Sequence, residues 1–502
     1  MGIGLLNLPV ELLECILDYA DPQDKRMFFH LSLVNKALNR LATPRLYRKV
    51  AFKGLSMIRP GAMLRRFIVS ILTSVERASM VSEFEIVSEV PIEQAYFPAQ
   101  TTADQITSLL SEFPPDSLVR QVWETLAGLL MDGTFRDQRY VLLQLYAAVC
   151  LPNLKRLTFE GSTNQRMWDL LDAVLDSFGN DANSQSNMVI WPALEEVAME
   201  NKKYMDISAP VGIWVVRVPW LKRLYACGLG KLTSWDPPED EFSRIQPRTS
   251  EIEALIFQPR CGLHYQELDQ VLRAPKALKV FKCNAEHGWA VHTAETSSLQ
   301  ASLDYQSQSL EEISLTLNYL LDMGSRYLRR DEMAPMTFSG YGALKILEIS
   351  LRFVFDQNAL RFVTDASSYA AIQAAARRRL VAMLPPSIET LRFAQCDSYY
   401  AAKTLNSALL ELFAWCADRF PRLRTVEVHA YSERANQVLP ELRPSFTVAQ
   451  SKGIRMLPFR GGLLGRDDVH DGWCTVGARA DPRETENGWN RAGDDAFMFG
   501  AL

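Results

Sequence analysis

The sequence predicts an α/β protein: a module of three short helices, then a curved solenoid with parallel strands on its concave side and helices on its convex side. Three observations support this prediction. Residues 9–41 carry apolar side chains at helical spacing, and a short strand-like motif recurs nine times between residues 154 and 428. Helix-like stretches separate several copies of that motif.

Composition narrows the class of protein. The chain has 502 residues, 48% of them hydrophobic, and a net charge of -5, which suits several domains or one long repeat array and gives no support for a nucleic-acid surface. Its eight cysteines form no CxxC pair, as is typical of free thiols in a reducing compartment. The first residues do not form a secretory signal, and no apolar stretch approaches the roughly 20 residues of a membrane helix. We therefore expect a cytoplasmic or nuclear protein with no membrane partner.

The N-terminal module is predicted over residues 5–50. From Pro9 the apolar side chains follow helical spacing, and Asp21-Pro22 should end this helix. A second helical run begins at Asp24 and should close at Thr43-Pro44, before a short extended exit. Three helices of this size bury too little apolar area to be secure alone, so they either cap the next domain or dock another protein.

The order of residues in this segment resembles the F-box family. The resemblance rests on Leu8-Pro9, Glu11-Leu12-Leu13, Ile16-Leu17, the Asp21-Pro22 turn, Leu31-Ser32-Leu33-Val34-Asn35-Lys36, Leu38 and Ala42-Thr43-Pro44-Arg45-Leu46-Tyr47. It implies docking to the Skp-type adaptor of a Skp–cullin–F-box ubiquitin ligase, and through it to a cullin. The implied adaptor-binding residues are Leu8, Pro9, Leu12, Leu13, Ile16, Leu17, Leu33 and Val34. The sequence does not separate adaptor contacts from residues that hold the helices together, and Leu17 and Val34 are candidates for the second role.

The recurring motif has an apolar residue, two variable residues, an apolar residue, one variable residue and a further apolar residue. Its nine copies begin at Leu154, Leu194, Leu221, Ile252, Leu278, Leu310, Leu344, Ile388 and Leu423, and a weaker copy begins at Val81. Alternation of apolar and variable residues predicts a short strand in each copy. The intervals of 26 to 44 residues are mostly longer than those of ordinary leucine-rich repeats.

Helical patterns separate the copies and also precede them. They cover Met63–Val75, Asp104–Phe113, Ser117–Met131, Phe135–Cys150, Arg166–Phe178, Gln266–Leu272, Tyr369–Met383 and Leu405–Phe420. Repetition of strand and helix predicts a solenoid over residues 151–450, with a helical linker and first solenoid turns over 51–150 and a loose tail over 451–502. This array resembles the irregular leucine-rich repeats that often follow an F-box.

Catalytic motifs are absent from the sequence, so we expect a non-catalytic protein without a cofactor. One set of soft ligands deserves comparison with a zinc site, namely Cys261, His264, Cys283, His287 and His292. Because Cys283 takes an inward strand position, a core cysteine is the favoured interpretation, and we expect no metal.

The variable strand positions predict a target-binding surface on the concave side. An apolar centre with charged edges is typical of protein-binding patches, and residues of this kind are Arg223, Tyr225, Ala254, Ile256, Val280 and Lys282. A helix or the C-terminal tail covering this patch is the alternative interpretation.

With the resemblance, these observations indicate a substrate receptor that holds an unidentified target protein near a ubiquitin ligase. A ligase-independent scaffold that uses the same adaptor is the first alternative. A hydrolase or metal enzyme on a repeat frame is the second, and the missing motifs disfavour it.

Overall fold

The computed structural model gives the structure of the chain over most of its helices and strands. The described residues are 8–19, 25–52, 60–87, 99–115, 117–131, 139–160, 171, 175, 190–200, 214–215, 218–227, 245–257, 265–286, 296–318, 336–355, 366–396, 399–431 and 440–461. Four earlier predictions lie mainly or wholly outside them: the Asp21-Pro22 stop, the helix over Arg166–Phe178, the zinc ligands other than Cys283, and the tail beyond 461.

Fourteen helices lie within the described residues. They are α1 (Val10–Tyr19), α2 (Lys25–Val34), α3 (Lys36–Arg48), α4 (Pro60–Leu72), α5 (Val75–Met80), α6 (Ala99–Leu110), α7 (Leu118–Met131), α8 (Arg139–Val149), α9 (Tyr265–Arg273), α10 (Thr296–Asp304), α11 (Leu351–Val354), α12 (Ala366–Met383), α13 (Tyr399–Arg419) and α14 (Arg443–Ser451). In this part of the chain, no helix is both long enough and apolar enough to cross a membrane.

The described strands form a parallel array in chain order. They are β1 (Lys49–Ala51), β2 (Glu83–Val87), β3 (Arg156–Glu160), β4 (Glu196–Glu200), β5 (Arg223–Cys227), β6 (Ala254–Phe257), β7 (Val280–Glu286), β8 (Glu312–Asn318), β9 (Ile346–Ser350), β10 (Thr390–Cys396), β11 (Thr425–Tyr431) and β12 (Arg455–Gly461). The α/β class, the N-terminal helices and the parallel strand array are confirmed, whereas the leucine-rich-repeat class stays a prediction.

The described residues fall into two compact units, one up to Ala198 and one from Met199. In the first unit, three aromatic rings pack at the start of the array. The ring centroids of Phe52, Phe67 and Phe84 lie 5.7 to 6.2 Å apart.

The same unit contains a buried side-chain amide that pairs with the backbone. Gln144 accepts a hydrogen bond from the Val87 amide at 3.0 Å and donates one to the Val87 carbonyl at 2.9 Å. The side chain of Gln144 thereby satisfies backbone groups at the end of β2 that would otherwise be costly to bury.

In the second unit, the motif positions behave as the alternation predicts. The two strand residues of each motif that should point inward are buried in every copy, for example Leu255 with Phe257 and Leu347 with Ile349. Helices α9, α12 and α13 overlap the three stretches predicted there. The apolar period of two therefore identifies both the strands and their core-facing sides.

Two boundaries differ from the sequence predictions. Helix α3 continues through Pro44 to Arg48, and the following three residues form β1. Because Pro44 is exposed, water can reach the carbonyl that its ring leaves without a helical partner, and the Arg45 side chain donates to the Leu41 carbonyl at 2.8 Å. At the other end, β12 pairs with β11 over seven residues, so regular structure extends into the region predicted to be a loose tail.

Candidate partner-binding surfaces

The N-terminal helices pack around a small apolar core. Leu17 of α1, Phe28 of α2 and Ala42 of α3 form its centre, and Met27, Leu31, Leu41 and Leu46 pack against them. Each helix contributes one central residue, so the three helices depend on one another for burial. This mutual dependence makes residues 8–52 a structural module.

Polar contacts fix the helices of this module. Asn35 lies between α2 and α3 with extended backbone, and its side chain accepts a hydrogen bond from the Leu38 amide at 2.8 Å, which caps the start of α3. The Asn39 side chain donates to the carbonyl of Ser32 at 2.8 Å, which ties α3 to the end of α2. Arg45 of α3 forms an ion pair with Asp18 of α1.

Helix α1 has apolar side chains on two faces. Leu13 and Leu17, four residues apart, are each only 6% exposed. Leu12 and Ile16 are also four residues apart, but they are 50% and 46% exposed. Because one residue corresponds to a rotation of about 100° around a helix, the two pairs occupy neighbouring faces, of which only one is used by the module's own core.

A second exposed apolar group ends α2, where Leu33 is 67% exposed and Val34 is 56% exposed. Six of the eleven large hydrophobic side chains that are exposed among the described residues belong to α1 and α2. They are Val10, Leu12, Ile16, Tyr19, Leu33 and Val34. Such a concentration on two short helices is typical of a surface that binds another protein.

The eight predicted adaptor-binding residues therefore separate into two groups. Leu13 and Leu17 are buried within the module, Leu8 is half-buried, and the other five are exposed: Pro9, Leu12, Ile16, Leu33 and Val34. The sequence left open whether Leu17 and Val34 hold the helices together. Burial assigns that role to Leu17, whereas Val34 is exposed and available to a partner.

The predicted target-binding residues are placed less uniformly. Arg223 is exposed, and Ile256, Val280 and Lys282 are half-buried. Tyr225 and Ala254 are 2% and 7% exposed, so in this structure neither offers much surface to a partner. An outward strand position alone did not reveal whether other parts of the chain cover it.

At the equivalent positions of strands β7 to β11, the side chains are mostly polar and pair with one another. Lys282 Nζ lies 2.8 Å from Glu312 Oε1, and Ser314 Oγ donates to Glu348 at 2.9 Å. On the next two strands, Arg392 Nε donates to Glu427 at 2.8 Å. These contacts join side chains on neighbouring strands and so stabilise the strand register.

A row of charges that the sequence analysis missed precedes the strands. In the second unit, the residue before each strand from β5 to β11 alternates in sign. The row consists of Lys222, Glu253, Lys279, Glu311, Lys345, Glu389 and Arg424. The signal was present in the motif itself, because this residue immediately follows the first apolar position of each copy.

Backbone hydrogen bonds align this row, which we call the charge ladder. The amides of Lys279 and Val280 both donate to the carbonyl of Glu253, at 2.8 and 2.9 Å. The amides of Glu311 and Glu312 repeat the arrangement on the Lys279 carbonyl at 2.8 and 3.0 Å. Because each carbonyl accepts from the following repeat, equivalent side chains lie on adjacent strands about 4.8 Å apart.

Ion pairs form along the ladder where opposite charges meet. Lys279 Nζ lies 3.0 Å from Glu253 Oε2, and Lys345 Nζ lies 2.6 Å from Glu311 Oε2. The hydrogen bond from Lys345 is the main cause that lowers the pKa of Glu311, and the same contact raises the pKa of Lys345. All four side chains are substantially exposed, so each pair contributes little stability by itself.

The described residues contain no group of three or more histidine, cysteine or acidic side chains that could hold a metal ion. Cys283, the described member of the zinc set, is buried in β7, and burial raises the pKa of its thiol. A protonated, buried thiol is a poor nucleophile and a poor metal ligand.

Comparison with known proteins bears on the N-terminal module alone. Residues 5–53 match the F-box-like family. Neither the curated proteins nor the solved structures contain a match to the chain. The match covers α1, α2, α3 and β1, which are the elements that carry the exposed Leu12, Ile16, Leu33 and Val34. The chain therefore has an F-box-like domain at its N-terminus, a type of domain that serves as a protein-interaction adaptor.

Proposed function

We propose that the protein is a substrate receptor of a Skp–cullin–F-box ubiquitin ligase. In this role the F-box-like domain binds a Skp-type adaptor, and through it a cullin, while the parallel strand array binds a target protein. The observation that carries the proposal is the exposed apolar face of α1 and the exposed end of α2 inside an F-box-like domain. The receptor would work in the cytoplasm or the nucleus.

The apolar face gives this proposal a physical basis. Burying Leu12, Ile16, Leu33 and Val34 against a partner removes apolar surface from water, which contributes about 25 cal/mol for each Å² buried. Leu13 and Leu17 already support the face from inside, so the domain presents it on a packed scaffold. A prearranged face costs less conformational entropy on binding than one that must fold first.

The proposed receptor carries out no bond chemistry itself. By holding a target beside the ligase, it would raise the effective concentration of the target at the site of ubiquitin transfer. On the array, the accessible members of the predicted target surface are Arg223, Ile256, Val280 and Lys282.

Co-purification of the full chain with a Skp-type adaptor and cullin tests the proposal. We expect both partners with the native chain and a loss of at least tenfold in retained adaptor for the variant Leu12→Asp with Ile16→Asp. The matched control is Val75→Asp with Tyr399→Asp, which adds the same charges at exposed apolar positions outside residues 5–53.

Three results would contradict the proposal. Adaptor without cullin would indicate the ligase-independent scaffold instead. Equal adaptor retention by the two variants would show that the α1 face is not the docking surface. No adaptor with the native chain would leave the module as a cap on the domain that follows it.

A further inference from the structure

The charge ladder loses its alternation at its C-terminal end. From Lys222 to Arg424, cations and anions take turns, so each cation, Arg424 beside Glu389 included, has an acidic ladder residue on an adjacent strand. After Arg424 the next position in register is Ile454, followed by Arg455 as the first residue of β12. The alternation requires an anion after Arg424, and the residue before β12 at that position is the apolar Ile454 instead.

Four exposed cations occupy this end of the ladder: Arg422, Arg424, Lys452 and Arg455. They lie at the starts of two adjacent strands, β11 and β12. The Arg455 amide donates to the Arg424 carbonyl at 2.8 Å, and Thr425 pairs with Arg455. Arg422 lies three residues before Thr425, and Lys452 lies three residues before Arg455. We call these four residues the basic edge.

Within the part of the chain that the structure describes, the cations of the basic edge form no ion pair. Among the described residues, none of its four cations has a carboxylate oxygen within 4.0 Å. Helix α14, which leads into Lys452, carries no acidic residue. In the second unit, the three lysines of the ladder are paired, since Lys222 contacts Glu251, Lys279 contacts Glu253 and Lys345 contacts Glu311, and the nearby Lys276 also contacts Glu251.

We propose that the basic edge binds an acidic segment of a partner protein, with aspartate or glutamate carboxylates meeting Arg422, Arg424, Lys452 and Arg455. Charge complementarity supports this assignment, because four cations that form no ion pair with the described residues lie together on a chain whose net charge is -5. Three of the four are arginines, whose planar guanidinium donates two parallel hydrogen bonds to a carboxylate. The site differs from the proposed adaptor face, so the proposal does not depend on adaptor binding.

A peptide fits this edge better than a nucleic acid. Single-stranded nucleic acids are usually held by a longer basic groove with aromatic side chains on which bases stack. Here the cations extend only over the starts of two strands. The neighbouring aromatic residue Phe420 is 2% exposed, so its ring is not available for a base to stack on.

Fluorescence anisotropy with a fluorescein-labelled hexaglutamate peptide tests this inference on the purified full chain. We expect saturable binding that weakens as sodium chloride is raised, since salt screens exposed charges. The variant Arg422→Gln, Arg424→Gln, Lys452→Gln, Arg455→Gln should bind at least tenfold more weakly. Thermal unfolding should show that the variant keeps the native fold.

The matched control removes the same number of charges from the same side of the sheet. It replaces the paired cations: Lys222→Gln, Lys276→Gln, Lys279→Gln and Lys345→Gln. This control should bind the peptide within about threefold of the native chain, because the basic edge remains intact. If both variants weakened peptide binding equally, the effect would come from net charge alone, and the assignment would be overturned. Absence of peptide binding by the native chain would also overturn it.

Two further measurements exclude other occupants. Tighter binding of a six-nucleotide single-stranded DNA than of hexaglutamate would overturn the choice of a peptide. In the full chain, Asp467→Asn with Asp468→Asn and Asp471→Asn should leave peptide affinity unchanged. A tenfold gain would instead identify the chain's own acidic segment as the occupant.

Discussion

At the scale of single residues, Gln306 shows how one buried amide joins two repeats. Its Oε1 accepts a hydrogen bond from the Leu278 amide at 3.1 Å, and its Nε2 donates to the carbonyls of Leu272 and Pro275, each at 2.9 Å. The side chain therefore satisfies three buried backbone groups between α9 and β7. Such groups would have no access to water if the amide were removed.

We predict that Gln306→Ala lowers the free energy of unfolding by about 2 to 4 kcal/mol, because buried donors and acceptors lose their partner. Urea unfolding followed by circular dichroism measures the change. The control is Gln300→Ala, which removes a side-chain amide that accepts a hydrogen bond from the exposed Thr337 amide at 2.9 Å. A loss for Gln306→Ala no larger than for Gln300→Ala would contradict the assigned role.

At the scale of secondary-structure elements, α1 is the clearest case of one helix with two duties. Its inner pair, Leu13 and Leu17, is buried, with Leu17 at the centre of the module's core, and its outer pair, Leu12 and Ile16, faces solvent. Substitutions one residue apart should therefore affect different properties.

We predict that Leu17→Ala lowers the stability of the module by about 2 to 5 kcal/mol, as is usual for truncating a buried leucine. Ile16→Ala should change stability by less than about 0.5 kcal/mol, as is usual at exposed positions, while weakening adaptor binding. Hydrogen exchange of the amides of α2 and α3 in the full chain measures the first effect. Equal protection in both variants would show that Leu17 does not support the module.

Sequence reasoning succeeded for elements whose signal is local. The strands of the array were predictable because burial alternates residue by residue, as in Leu391 and Phe393. Strand β12 was missed because Pro458 and Gly461 are unusual within strands, and pairing with β11 overrides that local preference. The burial of Tyr225 was missed because the covering of an outward position depends on parts of the chain distant in sequence.

The candidate docking face on α1 was predictable only in part from the sequence. The apolar spacing around Leu12 and Leu17 identified α1 as a helix, and the F-box resemblance implied docking residues on it. Neither showed which face of α1 the module uses for its own core. That partition follows from packing against Phe28 and Ala42, on helices later in the chain. The basic edge was not predicted, because it emerges only when strands are placed in register.

At the scale of the whole array, the charge ladder makes stability depend on pH. The pKa of Glu311 is lowered by its hydrogen bond with Lys345, and that of Glu251 by hydrogen bonds with Lys276 and Lys222, from an ordinary value of 4.5. A lowered pKa contributes stability that is fully present above the ordinary value and is lost as pH falls through the lowered one. The raised pKa of Lys345, caused by the same contact with Glu311, has the opposite effect, since its contribution is lost only in strong alkali.

We therefore predict that Glu311→Gln removes part of the loss of stability that occurs as pH falls from the ordinary carboxyl value of 4.5 through the lowered pKa of Glu311. Glu311→Lys should lower the midpoint of thermal unfolding at pH 7 further, because it places three lysines on adjacent strands. Scans in 20 mM and 500 mM sodium chloride measure both effects, and high salt should narrow the difference. A difference that does not respond to salt would indicate a packing effect.

The alternation of the ladder also bears on how the array changes length during evolution. Recombination between similar segments can delete or duplicate a repeat. Loss of a single repeat from the middle of the ladder brings two like charges together at the new junction, as Lys279 beside Lys345 would be without Glu311. Loss of two adjacent repeats leaves opposite charges together. Ancestral and descendant arrays of this kind should therefore differ more often by even than by odd numbers of repeats.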